Sequence, residues 1–556
     1  MEKKKSNANE TEENRSTENE SLRGAGTSLQ NKEAKPEYER LKPEDRGSDP
    51  EDKGSDPEDK GSSLKDKRSD KGTKKSQTEV SGELTTVLAE NDRLLRNLLQ
   101  MDLSFDMVDR QLVIGGRDAH MYFIDGLCKD ELLQKLLQYF LDLKKEDMPE
   151  NIEALSAQCV PYIEVSTENN LDTILYSVLA GIFLLVIDGY DQVLLLDARE
   201  YPARSVSEPE KDKTMRGSRD GFVETLIFNT ALLRRRLRDP RFHVEMHQVG
   251  QASRTDVALC YMEDRADPEF LQRIRERLDS IRVDALTMSQ ESLAECLFTK
   301  KWYNPFPKFK HTERPDAATA QLLEGNLVIL VDNAPSALIM PTSVFDVMEE
   351  ADDYYFPPIT GSYLRLSRIL ISMVTYFWTP LFLLLIQNPD WIPEWLSFIE
   401  LAEESNVPLV LQFLILEFAI DGLRLAAVNT PNMLSTPLSV LAGIVMGEYA
   451  VESGWFNAEV LLYMAVVAVA SYTQPNYEMG YALKFMRIIT LILTALFGGW
   501  GFTAGIVVLF LALLLNKSVS GNSYLYPLIP FDWAVLRRLL VRRRLWPQSQ
   551  EDEKAR

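Results

Sequence analysis

The chain has 556 residues, 45% of them hydrophobic, and a formal net charge of −22. That charge argues against nucleic acid as a partner, because binding needs a basic face to neutralise phosphates. The four cysteines, Cys128, Cys159, Cys260 and Cys296, have no C-x-x-C spacing and indicate neither a zinc site nor a disulfide framework.

Residues 1–80 are polar and nearly free of aromatic and branched aliphatic side chains, too poor in apolar surface to offset ordering entropy, which predicts a disordered tail. Within it RGSDPED from Arg46 recurs as KGSDPED from Lys53 and, degraded, as KGSSLKD from Lys60. This pattern is low-complexity repeat growth. The opening MEKKKSNANETEEN lacks the apolar core of a signal peptide, so the N-terminal region is expected to stay in the cytoplasm.

Two cytoplasmic α/β subdomains are expected next, over residues 84–200 and 215–360. The first opens with a helix from Thr85, followed by alternating strands turned at Gly115-Gly116, a helix over Lys129–Leu143, a helix over Leu171–Leu179 and two strands about the Asp188-Gly189-Tyr190-Asp191 turn. Tyr201–Thr214 reads as a linker or exposed loop. In the second subdomain Asp220 or Gly221 can start a helix whose basic end, Arg234 to Arg238, suits the C-terminal dipole. Strands over Phe242–Val249 and Asp256–Met262 follow, then helices opened by Asp267-Pro268 and covering Ser289–Leu297. Two further strands are joined at Asp332-Asn333-Ala334-Pro335, and a helix runs from Ser343.

Residues 364–517 read as an α-helical polytopic membrane domain, before a basic cytoplasmic tail over 518–556. Six apolar runs are candidates: Ile369–Gln387, Leu409–Val428, Pro437–Ala450, Ala458–Tyr472, Met479–Phe497 and Phe502–Asn516. Three are short, so four to six membrane segments are expected. Arg365 and Arg368 before the first run, an acidic joint over 388–406 without Lys or Arg, and the tail RRLLVRRRLW put both termini in the cytoplasm.

Leu409–Val428 is apolar enough to cross a bilayer yet carries Glu417, Asp421 and Arg424. At about 100° per residue the three share one helical face within roughly 60° of arc. Each charge at bilayer depth costs about 2.5–3.5 kcal/mol on insertion scales. Arg424 can pair with Asp421 or Glu417 along its own helix, which leaves one carboxylate over; that group faces either an ion or another helix. Glu448, and Glu478 with Lys484 and Arg487, are further candidates for an ion path or for an interfacial position. Ala442, Gly443 and Gly447 make the third run thin enough to pack around an axis, and it is the expected pore-lining span. Pro431 and Pro437 between the second and third runs mark a loop or a hinge. GGWGFTAG, Gly498–Gly505, reads as a tight turn between two helices and not as a nucleotide loop.

No catalytic constellation, metal site or cofactor fingerprint is found, and an enzyme is not expected. His243 and His247 lie on a strand, where i and i+4 stand about 13 Å apart, too far for one metal. His120 and His311 are isolated in the sequence.

The run NPFPKFKHTERPD, Asn304–Asp316, followed by LEGNLVILVDNAP and DDYYFPP, resembles the A-subunit family of bacterial spore germinant receptors, the GerA type. Arg216-Gly217-Ser218-Arg219-Asp220-Gly221-Phe222 with Glu224 is similar to that family's R-G-P-R-x-G-F-x-E stretch. Glu417, Asp421 and Arg424 match its Glu-x3-acid-x2-Arg pattern, and Gly443 and Gly447 its small-residue span. Ser218 stands where receptor A subunits carry proline, and Ala426–Asn429 lacks the Gly and Arg of their R-E-A-G-L-R stretch; both favour the branch of stage V sporulation protein AF. The resemblance, over roughly residues 84–545, implies a multi-pass protein of the spore inner membrane that acts in germination. It implies an oligomeric ion channel or channel component working with smaller membrane subunits and promoting ion release. The alternatives are a non-conducting membrane scaffold and a subunit of a nutrient germinant receptor complex.

Overall fold

The computed structural model describes residues 84–201, 217–298, 303–402, 406–429 and 449–542, with positions 440, 443 and 447 between them. The tail expected to be disordered, Arg216, nearly all of the 201–214 loop, most of the third apolar run with Ala442, Glu448, Pro431 and Pro437, and the end of the basic tail lie outside the described residues.

The first subdomain is built on strands β1 (Met107–Ile114), β2 (Arg117–Ile124), β3 (Val165–Glu168), β4 (Phe183–Ile187) and β5 (Val193–Leu196), antiparallel throughout in the order β1-β2-β4-β5-β3. Gly115 and Gly116 close the β1–β2 hairpin with φ of 56° and 76°, the left-handed pair that a two-residue turn needs. Helices α1 (Leu88–Leu99) and α4 (Leu171–Leu179) cover one face, and α2 (Asp130–Asp142) and α3 (Ile152–Cys159) the other. Covered on both sides, β4 and β5 are buried at every residue, which is why FLLVI and VLLL are continuous and not alternating. Helix α3, IEALSAQC, and strand β3, VSTE, are too short for a periodic apolar pattern to mark them.

The second subdomain repeats this plan. Strands β6 (Phe242–Val249), β7 (Thr255–Met262), β8 (Lys310–Thr312), β9 (Leu327–Val331) and β10 (Ala337–Met340) pair antiparallel in the order β6-β7-β9-β10-β8. Helices α5 (Leu226–Arg236) and α8 (Pro315–Leu323) lie on one face, α6 (Pro268–Ser280) and α7 (Ser289–Leu297) on the other. The correspondence extends to single hydrogen bonds. Asn91 accepts from Thr85 N at 2.9 Å and donates to its carbonyl, and Asn229 does the same to Val223. Asp188 caps Leu88 N at 3.1 Å, and Asp332 caps Leu226 N at 3.3 Å. The two subdomains are copies of one α/β unit.

These clamps also correct two expected helix starts. Helix α1 begins at Leu88 and not at Thr85, and α5 at Leu226 and not at Asp220 or Gly221, because the paired hydrogen bonds of the asparagine side-chain amide hold the preceding residues extended. The copies are joined by a buried pair: Arg234 on α5 donates to Asp106, ahead of β1, at 2.8 and 3.0 Å, both residues being 1% exposed or less.

Short helices α9 (Val344–Val347) and α10 (Asp352–Tyr355) lead into α11 (Pro358–Gln387), then α12 (Leu409–Asn429), α13 (Ala458–Tyr472), α14 (Tyr477–Leu515) and α15 (Trp533–Leu540). By length and composition, α11 and α14 are each apolar enough to cross a membrane. Helix α14 is broken at Gly498, whose φ of 57° and ψ of −133° are not helical. A Cβ on Gly501 would lie 1.8 Å from the Leu493 carbonyl oxygen, and one on Gly505 2.4 Å from Thr490 Oγ1. The halves therefore fold back on each other as a helical hairpin, the tight turn expected of GGWGFTAG. Met479 at its start packs with Phe306 and Val344, and Ala512 near its end accepts from Asn304 Nδ2 at 2.9 Å, so both ends of the hairpin lie beside the second subdomain.

Candidate functional site

Helix α12 presents Glu417 and Asp421 one turn apart, and the first half of α14 presents Lys484 and Arg487 three positions apart, so each pair projects from one helix face. Phe413 and Leu416 of α12, Phe382 and Leu383 of α11, Val460 and Met464 of α13 and Leu491 of α14 form the apolar cluster that holds these helices together.

Against this packing the four charges interlock. Arg487 donates from Nε to Glu417 Oε1 at 2.7 Å and from Nη1 to the Thr375 carbonyl of α11 at 2.6 Å. Lys484 Nζ donates to the Glu417 carbonyl at 2.9 Å and to the Asp421 carboxylate, and lies 3.5 Å from Glu417 Oε2. Glu417, Lys484 and Arg487 are buried and Asp421 is half-buried. The adjoining cavity holds about 20 Å³, room for a single water.

Arg424 does not pair with Asp421 or Glu417. Its guanidinium sits 4.9 Å from the Tyr472 ring centre and 5.3 Å from that of Tyr481, with Nη2 3.4 Å from Ser471 Oγ. Intrahelical pairing was expected to leave a carboxylate over. Instead both carboxylates find cations across the α12–α14 contact, and of three cations to two carboxylates the one in excess is Arg424, met by aromatic faces. Of the remaining candidates, Gly443 and Gly447 have no atom of the described residues within 4 Å of the position a Cβ would take, while Ala442 and Glu448 lie outside the described residues.

Two further clusters had no signal in the sequence because their members come from separate elements. Asp353, with no exposed surface, receives Arg365 Nε at 3.2 Å and Arg368 Nη1 at 3.0 Å, which ties α10 to the first turns of α11. In the first subdomain His120, isolated in sequence, places Nδ1 2.8 Å from Asp109 and 3.5 Å from Asp92. Those three offer ligand atoms within 4.8 Å of one another, but the Arg96 guanidinium already bonds both carboxylates and Tyr122 donates to Asp92, so the oxygens a metal would need are engaged by protein donors. His243 and His247 serve separate partners, Ser104 with Glu263 and Glu245 with Asp279.

The model of the Bacillus/Clostridium GerA spore germination protein family matches residues 93–554. Stage V sporulation protein AF of Bacillus subtilis (strain 168) is 36% identical over 456 residues, covering 82% of this chain and 92% of that protein. Spore germination protein KA of the same organism is 28% identical over 81% of this chain and 84% of its own length. Among solved structures, the N-terminal domain of the A subunit of the Bacillus megaterium spore germinant receptor GerK3 is 29% identical, with a TM-score of 0.36, over 46% of this chain and 96% of that one.

Proposed function

This chain belongs to the GerA family of spore germination proteins, and from that premise we propose that it is an oligomeric ion-conducting component of the spore inner membrane, multi-pass with both termini cytoplasmic, that promotes ion release during germination. The observation that carries this reading is the interlocked set Glu417, Asp421, Lys484 and Arg487 within helices of membrane length. Ionised groups are costly at bilayer depth, at about 2.5–3.5 kcal/mol each, and are retained where they serve a path or a joint.

Their pairing is close enough to fill the space between α12 and α14, so the proposed path does not run through one copy. It runs along an axis shared between copies and lined by the third apolar run, with Gly443 and Gly447, together with Ala442 and Glu448. That no atom of the described residues lies within 4 Å of a Cβ at either glycine supports that placement. So does the exposed apolar surface of the neighbouring α12, where Phe418 is 81% exposed. The quartet then stiffens the wall behind the path.

The completeness of the pairing also favours a second reading, in which the quartet is assembly glue in a non-conducting scaffold or in a subunit of a germinant receptor complex with smaller membrane partners. Purified protein in liposomes, with and without co-expressed partner subunits, separates the two. Conduction requires monovalent cation flux that changes when Glu448 is neutralised, while Glu448→Gln still assembles. Flux absent under every partner condition rejects conduction in favour of the scaffold.

A further inference from the structure

A cavity of about 510 Å³ opens where the second subdomain meets the membrane helices, of a size that suits a small organic ligand. Its wall is contributed by Glu324 after α8, Ser343 and Asp346 at α9, Arg365 on α11, the segment Ser518–Tyr526 that follows α14, and Arg538 on α15. An occupant would touch the α/β region and the entrances of the first and last membrane helices at once.

The charges around this cavity are unevenly satisfied. Glu349 is engaged by Arg365 at 2.6 Å, by Lys310 at 3.8 Å and by the Tyr354 hydroxyl. Among the described residues Glu324 and Asp346 have no ion-pair partner: Glu324 accepts from Gln321 Nε2 at 3.3 Å, and Asp346 Oδ2 from the Ser343 amide and hydroxyl at 2.7 Å each. Ser518, 8% exposed, and Ser520 line the same cavity with hydroxyls that no protein group bonds. Their segment is nonetheless anchored, since Arg273 donates to the Ser520 carbonyl at 2.9 Å and Ser518 N to the Asn522 carbonyl at 2.9 Å. A buried hydroxyl without a partner costs about 1–3 kcal/mol unless something supplies one.

We propose that this cavity binds a small organic cation through its ammonium group, with Glu324 and Asp346 receiving the charge and the Ser518 and Ser520 hydroxyls accepting its remaining N–H donors. A bare metal ion fits less well, because the oxygens of Glu324, Asp346 and Glu349 do not gather within 4.8 Å as those of Asp92, Asp109 and His120 do. Partial desolvation, with the Glu349 and Asp346 carboxylates nearby, pushes the Glu324 carboxyl up to about 7 even against Lys310 and Arg365. Arg365 and Arg538 also line the cavity, but neither pairs with Glu324 or Asp346. Tyr354 beside Glu349, Tyr526 and the exposed Arg538 are further ionisable groups of its wall. An ammonium bound there would hold Glu324 ionised, so affinity is expected to fall as pH drops through about 7.

Calorimetric titration of the full-length protein in detergent with n-butylamine and butane-1,4-diamine tests this, with calcium chloride and potassium chloride as comparison probes. Saturable binding of the amines is expected, about tenfold weaker in Glu324→Gln and in Asp346→Asn and weaker at about pH 6 than at about pH 8. Because Asp346 also caps α9, Glu324→Gln is the decisive variant, and an unchanged melting temperature without ligand separates lost binding from lost folding. No saturable amine binding, amine binding undiminished in Glu324→Gln, or saturable binding of calcium alone would each overturn the proposal. The readout is heat and not flux, so its failure leaves the conduction reading standing, and the reverse.

Discussion

Arg487 reaches Glu417 with a 2.7 Å hydrogen bond across the α12–α14 contact, although the two residues are 70 positions apart in the chain. Both are almost fully buried, and Arg487 also holds the α11 backbone through the Thr375 carbonyl, so one guanidinium fixes three helices.

Removing one member of that pair is therefore expected to cost far more than removing both. Glu417→Gln leaves the Arg487 cation buried without its counter-charge and is expected to destabilise by about 3–5 kcal/mol. The double variant Glu417→Gln with Arg487→Met should recover most of that loss, since neither charge is then buried. Thermal unfolding in detergent measures both, and a double variant no more stable than Glu417→Gln alone would contradict the pairing. Exchanging the partners, Asp421→Lys with Lys484→Asp, should likewise preserve assembly better than either change alone.

The glycines of the helical C-terminal region divide by what surrounds them. Gly501→Ala would set a Cβ 1.8 Å from the Leu493 carbonyl oxygen and force the α14 hairpin apart, an overpacking cost of at least about 1–3 kcal/mol. Gly443→Ala meets no atom of the described residues within 4 Å and should leave folding unchanged. Size-exclusion chromatography and melting temperature read both. If Gly443 lines an axis between copies, Gly443→Ala should still alter liposome flux while the protein elutes and melts as the parent does.

How much of this was legible in the chain follows from the range of each interaction. The β1–β2 turn, the Asp267 cap of α6 and the limits of α4 and α7 are set by residues within one turn of each other, and local pattern finds them. The face shared by Glu417 and Asp421 is equally local. Their partners are not: Lys484 and Arg487 stand on a helix brought alongside by packing, and i,i+3 spacing in a separate apolar run does not say which helix it meets. Pairing of Arg424 along its own helix is what local spacing offers, because nothing local announces that Tyr472 and Tyr481 will flank it. The doubled α/β plan was hidden for a related reason, since the copies keep their hydrogen bonds at Asn91 and Asn229 while the residues between them differ.

The joint between those copies offers a contrast in burial. Asp106→Asn leaves Arg234, with no exposed surface, short of its counter-charge, and is expected to destabilise by about 3 kcal/mol or more. Asp264→Asn removes one of two carboxylates at Arg241, which keeps Asp239 at 2.6 Å, where the Asp264 and Arg241 side chains are 35% and 47% exposed, and should change stability by less than about 1 kcal/mol. Melting temperatures of the two variants, at equal salt, decide whether the subdomains are locked together at Asp106; equal effects would refute it.

Glu245 on β6 supplies a dependence on acid. Partial burial pushes its carboxyl up, but His247, 3.7 Å away, and hydrogen bonds from Arg275 and Tyr261 prevail and hold it down at about 2. A carboxyl whose folded value lies below its unfolded one stabilises the fold fully above the unfolded value of about 4.3, and that contribution is lost as pH falls toward about 2. The full difference is about 3 kcal/mol, reduced to about 2 kcal/mol by the solvent that reaches the pair. Glu245→Gln should thus lower the melting temperature at neutral pH and flatten its decline between about pH 4.5 and pH 2. A variant whose acid profile runs parallel to that of the parent would show that the Arg275 and Tyr261 bonds do not favour the ionised form.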